Sequence, residues 1–304
     1  MTEAPRRGPG GLEVRWAEVD GLHLRLAVAP PLAGARSLFL LPGRTEFLEK
    51  YEDVLAELRG RGFRVASLDW RGQGASARLL ADPKRCHIDD FRAFQRDLDA
   101  LLETAAGDLP RPWTALAHSM GGLILSERLV AAPRTFERAV LSAPLFGVRM
   151  DPLTRVVAPG LAAAACRLGL AGRYAPGQGP EPLAGDEPVG NVLTSDHARF
   201  RRYRERCRAH PEKTLGGVTW GWLHAAFAAV RRVTRPGALE AVTTPVLMLE
   251  AGHERVVEPA AIARAAARLP SARRLRLPGA EHEVMMERDD VRARVFDAVD
   301  AFAA

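Results

Sequence analysis

A serine, a histidine and a set of glutamates stand in an order that could support nucleophilic catalysis. The serine lies in Ala117-His118-Ser119-Met120-Gly121-Gly122. An apolar run, Trp113–Ala117, leads into it, and helical spacing over Met120–Val130 leads out. A serine on a strand-to-helix turn is the context of a nucleophile elbow, where backbone segments pass so closely that the flanking residues must be small. Gly121 meets that demand, and Ala117 stands where a glycine is usual, one methyl larger. The helix start offers free N–H groups that favour developing negative charge, so the Met120 N–H is a candidate oxyanion donor. The competing reading is a serine that merely caps a helix.

A serine hydroxyl is a weak nucleophile and needs a base. Of the eight histidines, His282 in Pro278-Gly279-Ala280-Glu281-His282-Glu283 follows one predicted strand and precedes the last predicted helix. A loop placed there can return to Ser119. His118 adjoins the serine and is expected to point away from it. His23, His197 and His210 have no supporting context, and His253 lies beside the acid candidates. The acid should follow a strand between serine and histidine, and the run Pro245–Leu249 leads to Glu250, Glu254 and Glu258. Glu250 sits at the strand end itself, and Glu258 lies near a helix start, where charge is stabilised in any case. Glu254, in the loop between them, is the choice. It would orient His282 and stabilise its imidazolium without taking the proton. The second oxyanion donor is expected after the third strand, in Leu41-Pro42-Gly43-Arg44-Thr45-Glu46, with Gly43 allowing close approach and Arg44 N–H donating. Asp69-Trp70-Arg71-Gly72-Gln73-Gly74-Ala75-Ser76 lacks a full G-x-G-x-x-G pattern and reads as a structural turn beside the site.

The elements that must hold these residues alternate. Leu12–Ala17 and Leu22–Val28 form a hairpin at Asp20-Gly21. Ser37–Leu41 and Phe63–Leu68 flank a helical pattern over Phe47–Arg59. Phe91–Leu102 is helical, and Ala139–Leu141 is a strand. Pro259–Arg268, Arg274–Leu277 and Val291–Phe302 continue the helix, strand, helix sequence. This predicts a mostly parallel sheet flanked by helices. From about 145 to 233 the alternation stops, and helical patterns at Ala198–His210 and Trp220–Val230 predict an inserted helical cap. The division is therefore 1–144 and 234–304 for the core and 145–233 for the cap, with ligand binding at the C-terminal sheet edge. Trp220, Leu223 and Phe227 fall at helical spacing and are candidates for lining an acyl pocket, against the plainer reading that they pack the cap. Arg201, Arg202 and Arg204 read as a solvated helical face.

Composition sets the outer bounds. The chain has 304 residues and is 47% hydrophobic, enough for a full core. Three scattered cysteines, Cys86, Cys166 and Cys207, form no C-x-x-C pair, which argues against a disulfide framework or thiolate metal site and fits a reducing cytoplasm. No apolar segment follows the two arginines of the N-terminus, so no signal peptide is expected. Pro152–Leu170 is the most apolar long stretch, but Arg155, Pro159, Gly160 and Arg167 interrupt it as a membrane span. The formal net charge is +6, with lysine only at Lys50, Lys84 and Lys213. The plain reading is arginine bias, and the sharper one is peripheral contact with an anionic membrane at the inner face. No nucleic-acid module is present in the sequence.

The segments Leu41–Tyr51 and Asp69–Ser76, the Ser119 elbow, Glu254-Arg255-Val256-Val257 and Gly279–Glu283 together resemble the lysophospholipase and monoacylglycerol lipase branch of the α/β-hydrolases, often grouped with serine aminopeptidases. Asn191–Asp196 and Gly216–Trp222 resemble the bacterial lysophospholipase type. Two departures stand out. Pro42-Gly43 replaces the frequent His-Gly, and glutamate replaces the common aspartate at Glu254. The resemblance implies an α/β-hydrolase fold and hydrolysis of carboxylic esters such as lysophospholipids or monoacylglycerols, with no metal or organic cofactor. The alternatives are an aminopeptidase-like hydrolase, for which no carboxylate cluster is found, and a non-catalytic binding protein, which should lack a triad member. Oligomeric state is not readable from the sequence.

Overall fold

The computed structural model describes residues 8–181, 185 and 187–304. The first seven residues, whose arginines entered the leader reading, lie outside them. Among the described residues, eight strands make one sheet in the order β1-β2-β4-β3-β5-β6-β7-β8. The strands are β1 (Glu13–Val19), β2 (Leu22–Val28), β3 (Arg36–Leu41), β4 (Phe63–Leu68), β5 (Trp113–His118), β6 (Arg138–Ser142), β7 (Val246–Ala251) and β8 (Ala272–Leu277). The first hairpin and the β2–β4 pair are antiparallel. The remaining pairs are parallel. Helices α1 (Glu52–Gly60), α2 (Arg92–Ala105), α3 (Met120–Ala131), α7 (Pro259–Arg268) and α8 (Asp289–Ala303) lie in the chain segments that link or follow the strands.

β3 shows why both faces of the sheet are covered. Successive strand side chains point to opposite faces. Leu38 and Leu40 enter one hydrophobic cluster with Leu58 and Phe296, whereas Phe39 and Leu41 enter the other with Leu123. Phe39 meets Trp113 and Phe136 edge-on, with ring centroids 5.1 and 5.7 Å apart. That arrangement adds about 0.5–1.5 kcal/mol per pair beyond area burial. On α2, Phe94, Leu98, Leu101, Leu102 and Ala105 form one buried stripe. Asp97 shares that face and is neutralised there by Arg71, at 2.8 and 2.6 Å.

Strand order reverses at β3. The chain goes from β3 outward to β4, then returns across to β5 on the other side of β3. The chain therefore leaves β3 and β5 towards opposite sides of the sheet, which makes their shared end a switch point of the kind where open α/β sheets bind ligands. Leu41 pairs with Ala117, so both strands end level and their loops touch.

Between β6 and β7 lie α4 (Pro152–Arg167), α5 (His197–Ala209) and α6 (Trp220–Thr234). The last two match the expected helices to within a few residues. α4 is a continuous helix across Pro159, where the sequence pattern showed an interrupted stretch. Proline removes one helical hydrogen bond and costs about 3 kcal/mol in a helix interior. Here Asp151 caps the start through Thr154 N–H at 3.0 Å, and Ala158, Ala162 and Ala165 are buried on a helix that packs against α6. Capping and packing offset the proline. On α5, Arg202 is exposed and reaches Asp53 at 3.4 Å, while Arg204 is buried rather than part of a solvated face.

Gly121 reports on the close approach between the β3 and β5 ends. A Cβ there would lie 2.5 Å from the Pro42 carbonyl oxygen and closer still to that of Leu41. Gly60 has open space at the same test. Gly121→Ala should therefore lower unfolding free energy by about 1–3 kcal/mol through overpacking, measured by urea denaturation. Gly60→Ala should be neutral or slightly stabilising. Equal stability of the two variants would contradict the close approach.

Candidate active site

Ser119 sits between β5 and α3 with φ 50° and ψ −113°, a conformation few L residues adopt. Its backbone is pinned on both sides. Ser119 N–H donates to Ser142 C=O at 2.9 Å, and Ser119 C=O accepts from Leu145 N–H at 3.0 Å and Leu123 N–H at 3.2 Å. Although the residue occupies the N-cap position of α3, its side chain makes no capping bond. Instead Ser119 Oγ lies 3.0 Å from His282 Nε2. His282 Nδ1 lies 2.8 Å from Glu254 Oε2. The other Glu254 oxygen accepts from the N–H groups of Val256 and Val257, at 2.8 and 3.1 Å. All three side chains are buried.

The strands explain how residues so far apart in sequence meet. Ala251 pairs with Leu277, so β7 and β8 end level, and His253 N–H donates to Ala280 C=O at 2.9 Å. The two loops then run side by side over β5. Burial would raise the Glu254 carboxyl, but the hydrogen bond and charge of His282, with the two loop amides, bring it below its ordinary value. It is therefore ionised at neutral pH. The two other acid candidates are engaged elsewhere. Glu250 pairs with Arg274 at 2.5 Å, and Glu258 pairs with Arg155 at 2.6 Å.

The loop after β3 presents its amides in an unequal way. Gly43 N–H donates to Glu46, and Thr45 N–H donates to Gln73 Oε1 at 2.9 Å. Gln73 Nε2 donates to Gly43 C=O at 3.0 Å. In a trans peptide the C=O and the following N–H point opposite ways. Gln73 therefore turns the Arg44 N–H away from itself. Among the described residues neither Arg44 N–H nor Met120 N–H has a hydrogen-bond acceptor. A Cβ on Gly43 would come within 3.2 Å of the Ser119 Cβ, so only glycine lets the loop lie this close. The Asp69–Ser76 turn, read from sequence as structural, thus reaches into the site through Gln73.

His118 departs from its expectation. Its ring packs 4.8 Å from the His282 ring and lines the same cavity as Ser119. As the last residue of β5, it projects towards the side where the Gly43 and His282 loops close. Burial drives its pKa down to about 4, so the ring is neutral at physiological pH. Glu46, His118 and Glu283 place donor atoms within 4.8 Å of one another. The Lys50 ammonium already bonds both carboxylates, at 2.8 Å to Glu46 and 2.5 Å to Glu283, and fills the place a metal cation would take. Glu46, Lys50, Gln73 and Glu283 stand in or next to segments the sequence places at the site, but their side chains could not be singled out there, because which of them meet depends on the fold.

The cavity at Ser119 is about 50 Å³ and is lined in part by Arg44, Leu193, Leu215, Val256 and His282. Leu193 belongs to the Asn191–Asp196 segment, and its C=O accepts from Glu283 N–H at 2.7 Å. A second cavity of about 200 Å³ is lined by Leu145, Phe146, Val148, Pro159, Phe227 and Val230, among others. Of the three cap candidates, Phe227 lines this second cavity. Trp220 and Leu223 pack against the hydrophobic core, and none of the three lines the cavity at Ser119.

Comparison with known proteins gives the same outline. Residues 35–289 match the family described as Serine aminopeptidase, S33. The chain is similar to lysophospholipase L2 of Escherichia coli K12, 32% identical over 303 residues, covering 95% of this chain and 86% of that protein. It is also similar to a probable lysophospholipase L2 of Haemophilus influenzae, 30% identical over 283 residues, with 92% and 88% covered. Among solved structures it is similar to a soluble variant of monoglyceride lipase from Saccharomyces cerevisiae, with TM-score 0.73, 18% identity, and 96% and 95% of the two chains covered. The fold is that of an α/β-hydrolase.

The geometry separates the three acid candidates. Glu254→Gln should lower kcat on a soluble p-nitrophenyl ester on the order of a thousandfold or more, as loss of the orienting carboxylate does in such triads. Glu250→Gln and Glu258→Gln should stay within about threefold. Comparable losses in all three would show that Glu254 is not the acid.

Proposed function

The chain belongs to the Serine aminopeptidase, S33 family, and from that premise we propose that it hydrolyses carboxylic esters of monoacyl lipids, lysophospholipids or monoacylglycerols, through an acyl-enzyme on Ser119. The observation that carries this reading is the continuous contact from Ser119 Oγ to His282 Nε2 and from His282 Nδ1 to Glu254. Ser119 attacks the ester carbonyl while His282 accepts its proton. Arg44 and Met120 N–H groups hold the oxyanion, and His282 protonates the leaving alcohol. Water then enters and attacks the acyl carbonyl while giving a proton to His282, and His282 returns that proton to Ser119 Oγ as the fatty acid leaves. Side chains and backbone amides suffice for every step.

An ester substrate fits better than a peptide with a free N-terminus. Aminopeptidase action would need a carboxylate available to the substrate ammonium. The carboxylates lining the Ser119 cavity are Glu46 and Glu283, and both are bonded to Lys50. The largely apolar cavity lined by Leu145, Phe146 and Phe227 suits an acyl chain, and Leu145 N–H is bonded to the Ser119 carbonyl. Residues 145–233 then act as a cap over a core formed by 1–144 and 234–304.

The cap also supports peripheral contact with an anionic membrane, on the cytoplasmic side. Leu153, Val156 and Leu168 are 73%, 79% and 76% exposed on or just after α4, although large apolar residues normally seek burial. No acidic residue occurs between Asp151 and Glu181, while Arg155, Arg167 and Arg173 do. An apolar face flanked by cations suits a helix lying in a phospholipid surface. No helix among the described residues is long and apolar enough to cross a membrane.

A panel of p-nitrophenyl esters, monoacylglycerol and lysophospholipid should show turnover that Ser119→Ala abolishes. No hydrolysis of any of these would end the ester reading. In flotation with anionic phospholipid vesicles, Ser119→Ala should bind as the unaltered chain does, and Leu153→Glu with Val156→Glu should bind several-fold less. Undiminished binding of the double variant would remove α4 as the contact.

A further inference from the structure

Lys50 is almost completely buried, yet it is charged and bonds the side chain of Glu283, the residue after His282. It occupies the short 3-10 turn Leu48–Tyr51 that opens α1. Its ammonium donates to Glu46 Oε1 at 2.8 Å and to Glu283 Oε1 at 2.5 Å, and sits 4.4 Å from the ring centroid of Tyr203 on α5. Each partner belongs to a different segment. Glu46 ends the oxyanion loop and also accepts from Gly43 N–H and from Tyr51 Oη, the latter at 2.5 Å. Glu283 follows His282 directly in the chain. Tyr203 belongs to the cap.

We infer that Lys50 is a positioning residue, which locks the oxyanion loop to the His282 loop so that the Arg44 amide and the imidazole are held in register over Ser119. The inference rests on the ester-hydrolase reading. Stability alone does not account for such a cluster. Two carboxylates and one ammonium, all removed from water, lose hydration that their attraction only partly returns, and apolar side chains of similar volume often replace such groups without loss. What the cluster supplies is direction. From Gly43 N–H through Glu46 and Lys50 to Glu283, every link is a hydrogen bond to a charged group, the shorter and stiffer kind. The Gly43–Arg44 peptide is thereby held from its Gly43 side by Glu46 and across its carbonyl by Gln73. On the other end, the chain leaving His282 is held by Lys50 through the Glu283 side chain and by Leu193 through the Glu283 amide. Burial and the two carboxylates act in opposite directions on Lys50, and the carboxylates prevail, so its pKa is raised and the ammonium persists.

Displacement of catalytic groups by about 1 Å can cost on the order of a hundredfold in rate. The full chain carrying Lys50→Met should therefore lose about 10–100-fold in kcat on a p-nitrophenyl ester, with KM within about threefold. Affinity for a trifluoromethyl ketone, which forms a tetrahedral adduct and needs both loops in place, should fall in parallel with kcat. Glu283→Met, of similar length but with no oxygen to accept from Lys50, tests the same link should Lys50→Met fail to fold, and is expected to lose kcat in the same manner. The double variant should lose no more than the worse single one, because both changes cut one connection. Any of three results would overturn the inference: kcat within about twofold of the unaltered chain in a folded variant, ketone affinity unmoved while kcat falls, or losses that multiply in the double variant. Failure of the unaltered chain to turn over esters or bind the ketone would instead count against the ester-hydrolase reading.

Discussion

The constraint on which the site depends is the backbone at Ser119, bent to φ 50° beside the end of β3. Gly121 has the Leu41 and Pro42 carbonyls where a side chain would be, and Gly122 has Pro144. The bend costs on the order of 1–3 kcal/mol as local strain. It persists because the surrounding sheet over-determines it, through Ser142 before the turn and Leu145 after it. Its consequence is that the serine hydroxyl leaves the helix it would otherwise cap and faces the loops from β7 and β8.

Two electrostatic arrangements then share the space around the nucleophile. Glu254 is ionised and fixed by Val256 and Val257, and in the proposed mechanism it gives His282 both its orientation and a negative neighbour for the charge it would gain. Behind it, burial would raise the Glu46 carboxyl, but the Lys50 ammonium and the bonds from Lys50 and Tyr51 bring it below its ordinary value. His118 packs beside both Glu46 and the His282 ring as a neutral ring, since burial keeps it unprotonated. The Glu46–Lys50 charge pair thus adds rigidity at the site without placing a second cationic ring against the base.

Much of this was legible in the sequence, for definite reasons. Strands such as Leu22–Val28 and Phe63–Leu68 and the helix Pro259–Arg268 appear with the bounds their patterns gave, since Gly, Pro and apolar period mark both ends. The order of Ser119, Glu254 and His282 could be read because each follows a strand at the same sheet edge. Other features depend on tertiary contact. Pro159 and Gly160 obscured α4, whose continuity comes from its cap and its packing on α6. His118 was expected to point away from Ser119, but the direction of the last side chain on β5 depends on where the neighbouring loops close. Gln73 stood in a segment whose glycines drew attention, while its part in directing the Arg44 amide requires knowing which loop lies beside it. The cap residues illustrate the limit of helical spacing. It placed Trp220, Leu223 and Phe227 near one another, but it could not tell a residue lining a cavity, as Phe227 does, from residues packed on the core.

The most direct test of the account is to treat the full chain with a fluorophosphonate and locate the adduct by peptide mass spectrometry. The account predicts one stoichiometric adduct, on Ser119, forming in step with loss of ester turnover and slowed strongly in His282→Ala. Ester turnover that continues with Ser119 unlabelled, or an adduct on a different serine that alone tracks the loss of activity, would contradict it.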